Sequence, residues 1–370
     1  MRRGGRDRWM TATDPAEVVV ADGTDAFAAL DRIARGGFWV GFCTYDLGRA
    51  IERVTPRADD DTALPDLVFA RFDDWRPYEP DPARSSGPGA GRALGPGRSS
   101  TSRAEHAAAV DAVHDLLRAG DCYQVNLTRR VSFGTAADPV GLFDALATRN
   151  PAPYGGLFVP GPAVPGVAVV SASPELFLGL DGRTVETRPI KGTAAHAETL
   201  AHSAKDLAEH VMIVDLARND LGRVCEYGTI EVPALCEVEA HPGLHHMVST
   251  VRGRLRADVG LGDLLRATFP AASITGAPKP RVMQAIEDLE PVRRGVYCGA
   301  FGWIDADAAR ARLAVAIRTF TVAGGATHLG VGGGIVADSD ATAEWDETCL
   351  KAARLLDAAG AHEAEPAVAR

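Results

Sequence analysis

A chain of 370 residues, 46% of them hydrophobic and 24% charged, is long enough to bury a large core and has the composition of a globular protein. Its net charge of −10 comes without any concentrated basic face, which argues against nucleic acid as a partner. No uninterrupted apolar run reaches the length that crosses a bilayer, and MRRGGRDRWM at the start carries charge with no apolar run behind it, so neither a membrane span nor a signal peptide is expected and a cytoplasmic location follows.

Residues 1–78 read as a β-rich N-terminal region that packs onto the core, with strand signals in GGFWVGFCTYDLGRAIE at 36–52. The next stretch, 79–103, is dense in Pro, Gly and Ser without apolar periodicity and reads as a flexible linker or long loop. Ser102 and Glu105 then form a capping-box signature, and Val110, Val113, Leu116 and Leu117 recur at helical spacing until Gly120, which predicts a helix over 103–119. It opens a main domain over 104–360, followed by a tail at 361–370. Within that domain VAVVSAS, GTIEVP, VYCGAFGWI, RLAVAIRTF and THLGVGGGIV read as strands, and helices are expected near 199–218, 263–269, 280–289 and 342–359. Their irregular alternation favours an α+β fold with antiparallel sheets over a doubly wound one. Cys43, Cys122, Cys225, Cys236, Cys298 and Cys349 are scattered with no C-x-x-C pair, so reduced thiols are expected rather than disulfides or structural zinc.

The run SASPELFLGLDGRTVETRPIKGT at 171–193 predicts a β-hairpin turning at Asp181-Gly182. Folding there brings Glu175 and Lys191 to its open end. A carboxyl and an amine so placed can protonate a leaving group and attack an electrophile; by themselves they are equally an ordinary surface ion pair. Asp206 and Glu209 lie three apart on one predicted helix, and Glu344 and Glu347 repeat the spacing on another. Two such pairs can together hold Mg²⁺, a hard cation that takes oxygen ligands, although each pair alone is also what a solvated helix face looks like. Gly332, Gly333 and Gly334 just before the second pair allow bare backbone to approach a ligand.

GDCYQVNLTRR, SASPELF, TRPIKGT, EHVMIVDLARNDLGR, HHMVSTV, TFPAASITGAPKPRVMQAIEDLE, GVYCGAFGW, AIRTF and GGGIVADSDATAEWDET stand in one order. Together they resemble the chorismate-utilising enzymes, strongly over 105–357, and within that family the component I branch of the aminodeoxychorismate synthases; GFCTYDLGR resembles that branch too. The resemblance implies a two-sheet sandwich with outer helices, a chorismate-binding catalytic domain at 104–360, and Mg²⁺ as cofactor. It implies Glu175 as the general acid for the C4 hydroxyl of chorismate and Lys191 as the nucleophile at C2, with ammonia then adding at C4. For that, Lys191 must be a free amine and Glu175 must keep its proton until turnover.

Further roles follow position by position from the same resemblance. Gln124 stands where water-adding relatives carry a lysine base, so an isochorismate or salicylate synthase is disfavoured. Lys191 stands where anthranilate synthases carry a small residue, and Asn126 points the same way. Tyr297 and Arg318 match a carboxylate-holding pair, spaced one residue wider than in the family, with the extra residue expected in IDADAARAR. Gly192, Thr193, Thr275, Gly332 to Gly334 and Lys351 match substrate contacts, Glu209 and Glu347 direct Mg²⁺ ligands, and Asp206 and Glu344 outer ones. His246 matches a histidine near the reacting centre, where a satisfied structural role is the alternative. Ala271-Ala272-Ser273 departs from a usual glycine before the serine. Nothing in the chain resembles a glutaminase, so a separate glutamine amidotransferase subunit is expected to supply ammonia. Anthranilate synthase component I and a silent chorismate-binding regulatory subunit remain as alternatives.

Overall fold

The computed structural model describes residues 9–79, 94–194, 197–201, 204–241 and 244–364. The spine of one sheet is the ten-residue strand Gln124–Phe133, whose side chains are nearly all buried. It runs antiparallel to Ala326–Ile335 in unbroken register from Thr327 opposite Phe133 to Ile335 opposite Val125. Its apolar residues Val125, Leu127, Val131 and Phe133 share one face, while Asn126, Thr128, Arg130 and Ser132 lie on the other, so this largely buried strand carries a polar face as well as an apolar one. Ala168–Ser173 and Thr319–Ala323 extend this sheet of eight strands on one side, and Gly95–Ser99 extends it on the other. Residues 80–93 of the expected linker lie outside the described residues. Ala361–Glu363, in the expected tail, pairs in parallel with Gly95–Ser99.

The second sheet has ten strands. Leu176–Asp181 and Thr184–Arg188 form the expected hairpin, turned by Gly182 at φ +60°, a conformation in which glycine meets no Cβ penalty. On the far side of Arg310–Val315 and Ala300–Asp305 the sheet continues into the N-terminal segment, where Phe38–Cys43 pairs residue for residue with Ala300–Asp305. Gly302 permits the close approach of Arg310–Val315 on its other side, since a Cβ there would stand 1.9 Å from the Arg312 carbonyl oxygen.

The two sheets face each other across Phe42, Val68 and Phe301 from the ten-stranded sheet and Phe158 and Val169 from the other. Phe42 and Phe158 meet edge to face at 6.1 Å. Helices cover both outer faces. Asp25–Ile33 and Leu261–Thr268 bury Phe27, Leu30 and Leu265 on the side of the ten-stranded sheet, Lys279–Leu289 packs on the Gln124–Phe133 strand, and Pro139–Arg149 and Ala341–Ala358 bury Leu146 and Leu355 against Phe320 and Leu329 of the eight-stranded sheet. This is the α+β sandwich with outer helices that the resemblance implies. The helix Arg103–Arg118 carries the expected cap, Ser102 accepting from the Glu105 N–H at 3.2 Å while Glu105 accepts from the Ser102 N–H at 2.8 Å. No helix among the described residues is long and apolar enough to cross a membrane, and all six cysteines are free.

One buried ion pair ties these layers to the loop that approaches the hairpin. Arg294, 2% exposed, grips Glu290 through Nε at 2.9 Å and Nη2 at 2.6 Å. Its remaining N–H groups donate to the Ile274 carbonyl at 2.9 Å and the Asn126 carbonyl at 2.6 Å, and Glu290 accepts from the Thr128 N–H at 2.9 Å. Glu290→Ala should therefore cost about 3–5 kcal/mol of unfolding free energy, because it strands a buried guanidinium. Denaturant unfolding checks this; a loss below about 1 kcal/mol would show that the pair does not organise the loop.

Candidate active site

Past Arg188 the chain leaves the hairpin, and Ile190–Ala194 pairs instead with Leu244–Arg254, with Lys191 opposite Met247. The switch follows Pro189, which has no N–H to give a ladder. Glu175, one residue before the hairpin, is 4% exposed and accepts from the Ser273 hydroxyl at 2.6 Å and from the Ile190 N–H. Burial pushes its carboxyl up to about 7, against the pull of these hydrogen bonds and of cationic Lys191 and Arg318. It is an acid that holds its proton to near neutrality.

Lys191 pairs with Glu209 at 2.6 Å, linking the Ile190–Ala194 strand to the helix Ala204–Gly222. The end of the Ala326–Ile335 strand meets this amine. A methyl on Gly334 would stand 3.1 Å from Lys191 Nζ and 2.9 Å from Gln124 Nε2, and the Gln124 Oε1 is buried with no hydrogen-bond partner among the described residues. A methyl on Gly333 would instead stand 3.1 Å from Glu344 Oε2, 3.9 Å from Lys351 Nζ and 4.0 Å from Glu347 Oε1. Successive strand residues point to opposite faces, so the bare strand end separates the amine and amide from the Glu344–Glu347 pair. Ser339 donates to Glu344 at 2.6 Å, and Lys351 bridges Glu347 at 2.6 Å and the Gly332 carbonyl at 2.8 Å.

The expected strand RLAVAIRTF breaks into Arg310–Val315 and Thr319–Ala323. Arg318 sits in the break at φ +50°, a left-handed conformation uncommon outside glycine. Its carbonyl accepts from the Ala172 N–H at 3.0 Å, while its guanidinium has no hydrogen bond or ion pair among the described residues. Burial lowers its pKa to about 10, with Arg354 adding to the effect and Glu175 opposing it. Ala300–Asp305 and Arg310–Val315 pair without a register shift up to the turn between them, and the irregularity before Arg318 begins after Val315. Tyr297 lays its ring on Gly330, where a Cβ would come within 2.1 Å, and burial raises its hydroxyl pKa.

His246 is buried on Leu244–Arg254, in register with Thr193 and Glu239 on the neighbouring strands. Gly192 takes φ +75° where the strand bulges, and Thr275 is buried with its carbonyl accepting from the Asn126 N–H at 2.9 Å. The side chains of Thr193 and Asp206 lie outside the described residues. Two groups escaped the sequence reading. Ser273, noted only for its neighbours, is the hydrogen-bond donor to Glu175. His210, next to Glu209, is fully buried with Nε2 2.7 Å from the Ser249 hydroxyl, and burial with the nearby Lys191 charge lowers it to about 4. Its position beside a site carboxylate was the only signal for it.

Among the described residues no three His, Cys, Asp or Glu side chains converge on one point. The carboxylates present are nonetheless all-oxygen donors, the set a hard cation takes when it keeps several waters and rests on one or two carboxylates plus an anion.

The model of the chorismate binding enzyme family matches residues 6–357. The chain is 39% identical to aminodeoxychorismate synthase component 1 of Klebsiella aerogenes, over 86% of this chain and 76% of that protein. It is 38% identical to an anthranilate synthase component 1 of Haloarcula marismortui, over 86% of this chain and 75% of that one. The crystal structure of anthranilate synthase component I from Streptococcus pneumoniae superposes with a TM-score of 0.82 at 26% identity, covering 96% and 93% of the two chains.

A carboxyl raised from 4.5 to about 7 binds its proton more tightly in the folded chain, so its contribution to stability is complete below pH 4.5 and drains away as pH rises through 7. Between pH 5 and pH 8 the wild type should lose about 2–3 kcal/mol relative to Glu175→Gln, measured by denaturant unfolding at each pH. Parallel stability profiles for the two proteins would show that Glu175 titrates in the ordinary carboxylate range.

Proposed function

The chain belongs to the chorismate binding enzyme family, and from that premise we propose that it aminates chorismate to 4-amino-4-deoxychorismate as the component I of an aminodeoxychorismate synthase. The carrying observation is the Lys191 amine lying beside the Gln124 amide at Gly334, with a proton-holding Glu175 within electrostatic reach. Relatives named for the two aminations are 39% and 38% identical, so overall similarity does not choose between them. Residue chemistry supports the first. A primary amine at 191 offers a nucleophile, and a glutamine at 124 offers no base to deprotonate water, which suits neutral ammonia.

In this mechanism Glu175 gives its proton to the C4 hydroxyl, which leaves as water, while the Lys191 amine bonds to C2 and the ring double bonds shift. Ammonia then bonds to C4, the double bonds shift back, and Lys191 leaves as the amine it entered as. Arg318, without an ion pair among the described residues, is suited to a bidentate grip on a substrate carboxylate. Glu209 and Glu347 would hold Mg²⁺, with Asp206 and Glu344 around them. When bound, that ion supplies positive charge against a carboxylate of the substrate dianion. Ammonia comes from a glutamine amidotransferase subunit.

Lys191→Ala and Lys191→Arg should each lower turnover about 10²–10⁴-fold, and the Lys191 peptide should no longer carry a chorismate-derived mass. The assay incubates the pure chain with chorismate, Mg²⁺ and ammonium, and identifies the product by mass. Full activity in both variants would remove the covalent step, and a fluorescent anthranilate product would replace the proposal with anthranilate synthesis. Glutamine should serve as nitrogen source only once an amidotransferase is added.

A further inference from the structure

The proposed amination has a proton deficit. Ammonia that adds as NH₃ leaves C4 bearing an ammonium group, and the proton that departs with the hydroxyl as water is not returned. Each turnover therefore takes one proton from solution and delivers it to Glu175, which is 4% exposed. With substrate or product on the reacting side, reloading Glu175 within the turnover calls for a supply from its Ser273 side.

Behind Glu175 lies a cavity of about 30 Å³, enough for a water molecule. Its walls are mainly apolar, among them Phe177, Ile213 and Leu221, but Glu175, Ser273, Thr187 and Asp220 also border it. These supply the two to four polar partners that a buried water needs. Ser273 is the entry, its hydroxyl already donating to Glu175 at 2.6 Å. At Asp220 the cavity meets a second buried pair, for Lys279 Nζ lies 2.7 Å from Asp220 Oδ2 and 2.8 Å from the Thr268 carbonyl. No step of the proposed mechanism uses that pair.

We propose that Glu175 is reloaded through Ser273 and this cavity, with the Asp220–Lys279 pair as the proton carrier at its far end. The inference rests on the reading of Glu175 as the general acid. The Glu175 carboxylate takes the Ser273 hydroxyl proton, and Ser273 takes one from water in the cavity. That water takes one from the Asp220 carboxyl, which draws it from the Lys279 ammonium 2.7 Å away, and the amine is then recharged from solvent; only O–H and N–H bonds change. The electrostatics favour such hand-over. Burial raises the Asp220 carboxyl and lowers the Lys279 amine, Lys279 and Arg223 pull Asp220 back down, and Asp220 and Glu52 hold Lys279 up against Arg223. Burial thus moves the two protonation equilibria toward each other. Ser273 and Lys279 are positioning and relay groups here; neither is asked to touch the substrate.

The test compares kcat in H₂O and D₂O for wild type, Ser273→Ala, the double variant Asp220→Asn/Lys279→Met, and the triple combination. Replacing both members of the ion pair leaves no stranded buried charge, which protects folding. Ser273→Ala and the double variant should each lower kcat at least about tenfold, the low side of what a placed proton carrier contributes, with a larger solvent isotope effect and an unchanged KM for chorismate. The triple variant should be no slower than either, and small acids such as imidazolium should restore part of the rate. Multiplying losses in the triple variant, or wild-type kcat and isotope effect in the double one, would overturn the route. A wild-type chain without amination, or a fully active Glu175→Gln, would instead end the reading of the reaction.

Discussion

The Arg294–Glu290 pair is the constraint on which the site's geometry depends. Replacing a buried ion pair by apolar residues is often neutral for stability, so its main effect here is positional. It joins the end of Lys279–Leu289 to two other segments, the Gln124–Phe133 strand through the Asn126 carbonyl and the Thr128 N–H, and the loop at Ile274 through its carbonyl. Tyr45, from the N-terminal segment, lies under the guanidinium at 4.5 Å. Fixing Ile274 fixes Ser273 beside it, and Ser273 is what holds the Glu175 carboxyl. The register of Gln124 follows in the same way from Asn126. A substitution near Tyr45 can therefore be felt at the acid, although the two are far apart in sequence.

Charge is distributed to match the chemistry. Glu175 is buried with hydrogen-bond donors, so its pKa settles near 7 and it can give a proton; Glu209 is paired directly with Lys191. Two carboxyls on neighbouring elements thus differ in role through environment alone. His210, lowered to about 4 by burial and by Lys191, stays neutral at ordinary pH and adds no second cation beside the amine. Arg318 is the complementary case, a guanidinium taken from water with no ion pair among the described residues and supported by Glu175 only at longer range. Such an arrangement is costly unless an anion arrives.

The features legible in the sequence were those set by local rules. The Ser102–Glu105 cap, the Gly182 turn and the helices with apolar periodicity are specified within a few residues, and the helix Ala341–Ala358 sets Glu344 and Glu347 on one side because three residues make nearly one turn. The break at Arg318 was not legible, since β-favouring residues on both sides read as one strand. Its left-handed turn is held by distant partners, with Ser173 donating to the Val315 carbonyl at 2.6 Å and Ala172 donating to the Arg318 carbonyl. Ser273 was hidden for the same reason, because its partner lies 98 residues away. The N-terminal strands carried a clear β signal but none of the information that pairs Phe38–Cys43 with Ala300–Asp305. Pairing over such separation is a property of the whole chain.

The glycine run shows how one sequence feature can serve more than the reading first given to it. Bare backbone was expected to let a ligand approach, yet each glycine already makes room for a neighbour. Gly330 accepts the Tyr297 ring, Gly332 the Leu127 carbonyl, Gly333 the Glu344 carboxylate and Gly334 the Gln124 amide with the Lys191 amine. A side chain at Gly334 would wedge between amine and amide, and one at Gly333 would push on the acidic pair. The strand end therefore acts as a thin partition, with the Lys191 amine, paired with Glu209, on one face and the Glu344–Glu347 pair on the other, one residue apart. Only a strand without side chains is thin enough for that, which is a stronger reason for glycine at both positions than turn geometry, since neither has a positive φ.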